Sequence, residues 1–436
     1  MLICIFTGFS SGLPLYILIS LFSAWLREEG VDLKAIGLLT LVQLPYTWKF
    51  LWAPACDRFG FAMGRRRSWM LVTQIGLLLT IPIFGWFSPQ EELPLISALA
   101  VVVAFLSASQ DIAIDAFRRQ LLLESEQGLG NVIHVNAYKI ASLVPGSLSL
   151  ILADHFSWKI VYAFTALFML PGIILTLVVK EPETGDRAPR TLRQAIVEPF
   201  REFIGRAGWK SAMTVLAFML LYKLGDTMAT SLITPFYLDM GYTKTEIGII
   251  AKNVGLWSGV AGGIFGGVWM AYIGINRALW VFGVLQAVVI LGFAWLATAG
   301  HTLVGLAFVI ATESFGMGLG TAAYVAYVAT TTHPAFAATQ FALFSSLGAT
   351  PRTLANALAG YFVEGGDISL FGATLFHVEA LGWEKFFWLC FFATIPGMLL
   401  LIKVAPWNKG YAGYPAAEKE GALLPAVEAG KARGDG

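Results

Sequence analysis

The sequence predicts an all-α polytopic membrane protein of about twelve transmembrane helices in two six-helix halves. Three observations carry that expectation. Of 436 residues, 57% are hydrophobic and only 13% charged, whereas a soluble domain carries roughly 25% charge. Apolar runs of about twenty residues, the length needed to cross a bilayer, recur along the chain. One long polar break at 180–209, beginning Lys180-Glu181-Pro182-Glu183-Thr184-Gly185-Asp186-Arg187, divides those runs six and six. A net charge of +1 with no basic patch excludes a nucleic-acid surface. Cys4, Cys56 and Cys390 lack C-x-x-C spacing, so neither a disulfide framework nor a metal site is expected, and nothing calls for a cofactor.

The spans are expected near 2–26, 35–54, 68–87, 94–119, 131–153 and 157–179 in the first half. In the second they fall near 211–238, 245–272, 276–298, 302–330, 336–363 and 383–404. The apolar run from Met1 to Trp25 is too long for a signal-peptide core and lacks a basic start, so it reads as the first span. The domains are therefore an amino-terminal half (1–179), a cytoplasmic linker (180–209), a carboxyl-terminal half (210–405) and a disordered tail (406–436) rich in Gly, Ala and Glu. With both termini cytoplasmic, nineteen basic residues fall on the cytoplasmic side, including Arg65, Arg66, Arg67, Arg118 and Arg119. Only five, Arg27, Lys34, Lys159, Lys244 and Lys385, lie opposite. The positive-inside rule fixes that orientation.

Charges inside the spans are the informative part. Ser107-Ala108-Ser109-Gln110-Asp111 continues to Asp115 with no turn signal after the apolar run 95–106, which makes it the second half of the fourth span. Asp111 and Asp115 are four residues apart and share a helix face. A carboxylate near mid-bilayer costs at least ~2.5–3.5 kcal/mol, so two together point to a water-filled path carrying charge or protons. The plainer reading is that both acids pair with lysines elsewhere in the bundle. Span two offers Gln43, Tyr46 and Lys49 at spacings of three, and span five Tyr138 and Lys139. In the second half, Lys223 and Asp226 can meet at i, i+3; Lys252, Asn253, Glu313, Gln340 and Arg352 complete the set. Four acids against five bases is the near-balance that pairing in a low-dielectric bundle requires. Lys49 and Lys139 are both potential partners for Asp111 or Asp115, and the spacing leaves that choice open. Lys223–Asp226 reads equally as a structural pair or as part of binding and gating. Glu313, without a base in its own helical turn, is a candidate proton carrier.

Two motifs known from soluble enzymes occur in the wrong setting. Gly8-Phe9-Ser10-Ser11-Gly12 fits G-x-S-x-G but lies in an apolar helix, not at a strand–turn–helix junction. Gly318-Leu319-Gly320 mimics a dinucleotide loop yet follows no strand. Gly8/Gly12, Gly316/Gly320, Gly259/Gly263 and Gly262/Gly266 read instead as close helix packing. Pro14, Pro145, Pro171, Pro235 and Pro396 are expected to bend helices around a central cavity. No nucleophile, base and metal constellation survives, so an enzyme is not expected.

After span two comes Asp57-Arg58-Phe59-Gly60-Phe61-Ala62-Met63-Gly64-Arg65-Arg66-Arg67. This resembles the loop 2–3 signature of the major facilitator superfamily, and Gly266–Arg277 is a worn second copy with one arginine left. The resemblance implies that Asp57, Arg58, Arg65, Arg66 and Arg67 act as a cytoplasmic gating latch; part of the Arg65–Arg67 run is explained by positive-inside anchoring alone. Several further stretches, in order along the chain, resemble the AmpG-type muropeptide permeases. They are Gly8–Leu15, Phe50-Leu51-Trp52-Ala53-Pro54, Gly64–Arg67 before Trp69, Ser107–Phe117, Tyr222–Asp226 and Ala338–Leu343.

That resemblance implies proton-gradient-dependent import of anhydromuropeptides (GlcNAc-anhydroMurNAc-peptides) across a Gram-negative inner membrane, feeding wall recycling and, in some bacteria, β-lactamase induction. It implies a transport role for Asp111 in the Ser-Ala-Ser-Gln-Asp motif. The proton-coupling set is then Asp111, Asp115, Asp226 and Glu313. The substrate-binding set is Gln43, Tyr46, Lys49, Gln110, Tyr138, Lys139, Lys223, Lys252, Asn253, Gln340 and Arg352, ranged about a wide pocket. The expected partners are the solute, protons and the lipid bilayer, with the chain a monomer. Two departures stand out: well-known members carry two further helices near the carboxyl end, and the stretch 365–381 is longer than usual. Alternatives are transport of another large anionic solute such as acetyl-CoA, a drug or sugar exporter (for which only Pro145-Gly146 speaks), or a non-transporting receptor, which has no use for so many buried charges.

Overall fold

A computed structural model of the chain describes residues 2–53, 56, 63–122, 127–181, 192–331, 349, 352–370 and 373–407. Ten helices among them are long and apolar enough to cross a membrane. We number the spans α1 to α12. The first half holds α1 (Leu2–Glu28), α3 (Arg65–Trp86), α4 (Leu93–Arg118), α5 (Ile133–Ala153) and α6 (Trp158–Val178). The second holds α7 (Gly208–Asp239), α8 (Lys244–Ile273), α9 (Ile275–Ala299), α10 (Leu303–Val328) and α12 (Gly382–Val404). The second span, α2, is a string of short α and 3-10 turns over 33–51. Of the eleventh, α11, the described residues are 349 and 352–364, ending in the helix Ala359–Glu364. The expected tail and the core of the linker, 408–436 and 182–191, lie outside the described residues, as do Asp57, Arg58 and Gln340.

The two halves repeat one another in detail. Gly64 (φ 101°) and Gly274 (φ 81°) hold the same left-handed backbone immediately before α3 and α9, a conformation open to glycine but costly with a Cβ. Each following helix start then holds the end of the last span in its half. In the first, the Arg67 guanidinium donates to the carbonyls of Thr176 (3.0 Å) and Leu177 (2.9 Å) at the end of α6. In the second, Asn276 and Trp280 donate to the carbonyls of Pro406 (3.1 Å) and Ala405 (3.0 Å) beyond α12. The last carbonyls of a helix have no intrahelical partner, so both arrangements satisfy acceptors that would otherwise be orphaned. Arg67, expected in the cytoplasmic latch, makes these contacts within the first half.

An aromatic knot also recurs in each half. In the first, Trp25 of α1 meets Tyr162 of α6 at 5.3 Å, with Phe84 of α3 at 5.4 Å from Tyr162. In the second, Phe236 of α7 meets Phe387 of α12 at 4.9 Å, with Phe293 of α9 at 5.3 Å from Phe387. Such pairs contribute roughly 0.5–1.5 kcal/mol each beyond their burial. Glycines bring other helices backbone to backbone. A methyl at Gly8 would strike the His134 carbonyl of α5, and one at Gly262 the Phe315 carbonyl of α10. Lipid tails are as apolar as leucine, so such close packing is what associates membrane helices.

Prolines mark most irregular points. Pro14 precedes a π-helical turn at Ile17–Leu21, Pro145 sits in another at Val144–Leu148, and α6 and α7 break just before Pro171 and Pro235. The helix α12 runs unbroken through Pro396. The long stretch after α11 folds as an antiparallel hairpin, β1 (Gly366–Leu370) with β2 (Ala373–Val378), the one departure from an all-helical chain among the described residues.

Candidate transport pathway

The chain enters α1 at one face of the bundle, here the termini side, and leaves it at Glu28 on the opposite, far side. Asp111 lies in the termini-side half of α4 and is 8% exposed. Three helices converge on it. Ser11 of α1 donates a hydrogen bond to its Oδ1, and Lys49 of α2 places Nζ 3.6 Å from Oδ2. Tyr46, one turn before Lys49, and Tyr138 of α5 lie within electrostatic reach of the carboxylate. Asp115, one turn along, is 48% exposed at its side chain and pairs with Arg118 at 3.1 Å. The two acids therefore share a helix face but not a partner. Gln110 points the other way. It is fully buried and donates to Ser10 (2.8 Å), which Gln74 of α3 also approaches (3.4 Å), while Thr176 of α6 donates to Gln74 (2.9 Å). Consecutive serines of α1 thus serve two networks: Ser10 ties four helices together, and Ser11 holds the acid.

The second half carries its own charged group. Lys223 Nζ donates to Asp226 Oδ2 (3.1 Å) and to Gln286 Oε1 of α9 (3.2 Å), with both charged residues buried. Glu313 of α10, also buried, accepts from Ser314 at 3.1 Å and lies close enough to feel the charges of Asp226 and Lys223. Breaking such a pair by removing one partner typically costs ~3–5 kcal/mol, because the other charge is left uncompensated. Each cluster is held within its own half.

The halves meet at the far side. Arg27 at the end of α1 makes two parallel bonds to Asp239 at the end of α7 (2.6 and 2.8 Å) and reaches Glu364 of α11 at 3.4 Å. Glu364 accepts the Leu33 amide that opens α2 (3.0 Å), and Trp383 of α12 donates to Asp239 (3.0 Å). Lys244 at the start of α8 bonds Glu28 (2.5 Å) and lies 3.6 Å from Asp154 after α5. Close backbone approach of Gly360 to Leu33 and of Gly248 to Ser147 completes the seal. Beneath it, a cavity of about 190 Å³ is lined by Ser23, Thr40, Gln43, Thr227, Thr230 and Asn356, among others, drawn from both halves. Ligand pockets run roughly 300–1,000 Å³, so this cavity, walled also by Leu18, Phe22, Leu26 and Ile36, is too small for a large solute while the halves stay closed.

The residues expected about one wide pocket are distributed differently. Asp111, Lys49, Tyr46 and Tyr138 form the first-half cluster, and Gln43 faces the inter-half cavity. Lys223, Asp226 and Glu313 form the second-half cluster; Lys252 and Asn253 lie where α8 meets α5. Lys139 is exposed, Arg352 is half-buried, and Gln110 is enclosed inside the first half. Sequence reasoning missed Ser11, Gln286, Arg27, Asp239 and Glu364. The serine run Ser10-Ser11 inside an apolar helix was the available signal for the first of these.

Comparison with known proteins agrees with this geometry. Residues 4–356 match the profile of the Major Facilitator Superfamily. An uncharacterized protein of Haemophilus influenzae is 46% identical over 416 residues, 93% of this chain and 94% of the relative. The anhydromuropeptide permease of Escherichia coli is 39% identical over 403 residues, 92% of this chain and 78% of the relative. Among solved structures, the nucleoside transporter NupG superposes with a TM-score of 0.67 at 12% identity, covering 92% of this chain and 98% of that one; a likeness so distant in sequence shows the fold alone. The chain is a multi-pass membrane transporter of the major facilitator superfamily, and it belongs to the family of the anhydromuropeptide permeases.

Proposed function

We propose that this protein imports anhydromuropeptides across a bacterial inner membrane by alternating access, driven by protons. The observation that carries the cargo is the 39% identity to the Escherichia coli anhydromuropeptide permease along 92% of the chain. The orientation rests on the basic residues of the loops: both termini face the cytoplasm. The sealed far side is then periplasmic, and the described conformation is the one that delivers cargo inward. Asp111 and Asp115 are the coupling carboxylates. Lys49 holds Asp111 while that acid is ionised and is freed when a proton neutralises it, which links protonation to the α2–α4 contact. Asp226 with Lys223, and Glu313 beside them, form the second-half part of the coupling set. Solute binds between the halves among Gln43, Tyr46, Lys49, Tyr138, Lys139, Lys252, Asn253, Gln340 and Arg352. Asp57, Arg58, Arg65, Arg66 and Arg67 close the cytoplasmic side, and the chain works as a monomer.

Counterflow into proteoliposomes tests the cargo without any gradient. Vesicles preloaded with unlabelled GlcNAc-anhydroMurNAc-tripeptide are expected to accumulate the labelled compound transiently. Absence of exchange by folded, reconstituted protein refutes the cargo.

A further inference from the structure

Lys252 carries a charge that meets no counter-ion among the described residues. Its Nζ donates to Ser20 Oγ of α1 and Thr234 Oγ1 of α7, each at 3.2 Å. No carboxylate lies within 4.0 Å of it among the described residues. By contrast, Lys49, Lys223 and Lys244 each face a carboxylate, at 3.6, 3.1 and 2.5 Å. A membrane-embedded cation held only by neutral oxygens is poorly compensated, and an ammonium has a third N–H to donate.

The surroundings are built for this side chain. Three π-helical turns meet here: Ile17–Leu21 carries Ser20, Val144–Leu148 carries Gly146 and Ser147, and Ile247–Lys252 ends in the lysine itself. Such turns are rare and concentrate at functional sites. Gly146 leaves room for the lysine stem, since a Cβ there would meet its Cγ and Cδ at 3.2 Å. The neighbouring Asn253 amide reaches Ser147 across the same seam at 3.1 Å.

We propose that Lys252 is the docking point for a carboxylate of the transported solute, presented when the halves part on the far side. The inference rests on the anhydromuropeptide reading, whose peptide supplies carboxylates. Ser20 belongs to the first half and Thr234 to the second, so parting the halves withdraws the Ser20 hydroxyl and opens the ammonium to the entry path. A carboxylate takes its place. On reclosure the hydroxyl returns to compete for the same ammonium, and the anion is released toward the termini side. The same contact thereby captures cargo in one state and loosens it in the other.

The test measures Kd on the full chain in nanodiscs, for a muropeptide with free peptide carboxylates and for the same compound fully amidated. Wild-type protein is expected to lose at least about tenfold in affinity on amidation, the scale of a charged hydrogen bond. Lys252→Gln loses that discrimination, and Lys252→Arg keeps it. Equal discrimination by wild type and Lys252→Gln overturns the proposal, as does a wild type indifferent to amidation. Wild-type protein that binds neither compound overturns the cargo reading, and this inference with it. Ser20→Ala removes only the competing hydroxyl and is expected to tighten the acid form about threefold without affecting the amide. An equal response of both forms contradicts the proposal even if Lys252→Gln fails to fold.

Discussion

Replacing Arg27 by Met is expected to open the far side of the transporter. Arg27 is the hub of that seal, bonded twice to Asp239 (2.6 and 2.8 Å) and once to Glu364 (3.4 Å) from the opposite half. A hydrogen bond involving a charged group contributes about 1.5–3 kcal/mol net, and the two-pronged geometry puts this pair at the upper end. The side chains retain 23% and 19% exposure, so solvent screening trims the total to about 2–3 kcal/mol. At 1.4 kcal/mol per tenfold, that is roughly a thirty- to hundredfold shift in the equilibrium between closed and open. A population of 99:1 in favour of the closed seal then falls to between about 3:1 and even. The assay is a spin-label distance distribution between Ser157→Cys and Ala299→Cys, exposed positions on the far side of each half, in a background lacking Cys4, Cys56 and Cys390. A second, longer distance is expected in Arg27→Met and, to a similar extent, in Asp239→Asn, with little further change when the two are combined. An unchanged distribution in Arg27→Met refutes the assignment of these contacts as the seal.

Two further predictions concern stability. Gly8→Val drives a branched side chain into the His134 carbonyl, and overpacking of this kind costs about 1–3 kcal/mol; the unfolding temperature in detergent is expected to fall, and an unchanged value contradicts the α1–α5 contact. Either Lys223→Met or Asp226→Asn alone strands a buried charge and is expected to cost about 3–5 kcal/mol, whereas the Lys223→Met/Asp226→Leu double replacement recovers most of it. A double variant as unstable as the sum of the single variants contradicts direct pairing at 3.1 Å.

Much of this architecture was legible in the sequence, and the remainder was hidden for physical reasons. Apolar runs of bilayer length and the polar break at 180–209 locate the spans because a membrane admits few alternatives. Lys223–Asp226 could be read directly, since i, i+3 spacing on a helix fixes proximity. Asp111 and Asp115 were placed on one face, but their partners were not readable. Lys49 lies 62 residues before Asp111, and Asp115 turned to Arg118 in its own helix. The Arg27–Asp239 bridge joins residues 212 apart, and charges at span ends look alike whether they anchor a loop or lock two halves. Ser11 looked like packing because the same run supplies Gly8 and Gly12, which do pack against α5. The π-helical turns leave no spacing signal at all.

Proton-coupled import through Asp111 is tested most directly by uptake of radiolabelled anhydromuropeptide into proteoliposomes, with and without an inward proton gradient, for wild type and Asp111→Asn. Wild type is expected to accumulate the compound under the gradient, and Asp111→Asn, still folded, to lose that accumulation. Gradient-driven accumulation that persists in Asp111→Asn contradicts the coupling role of Asp111, and absence of uptake by folded wild-type protein contradicts the transport function itself.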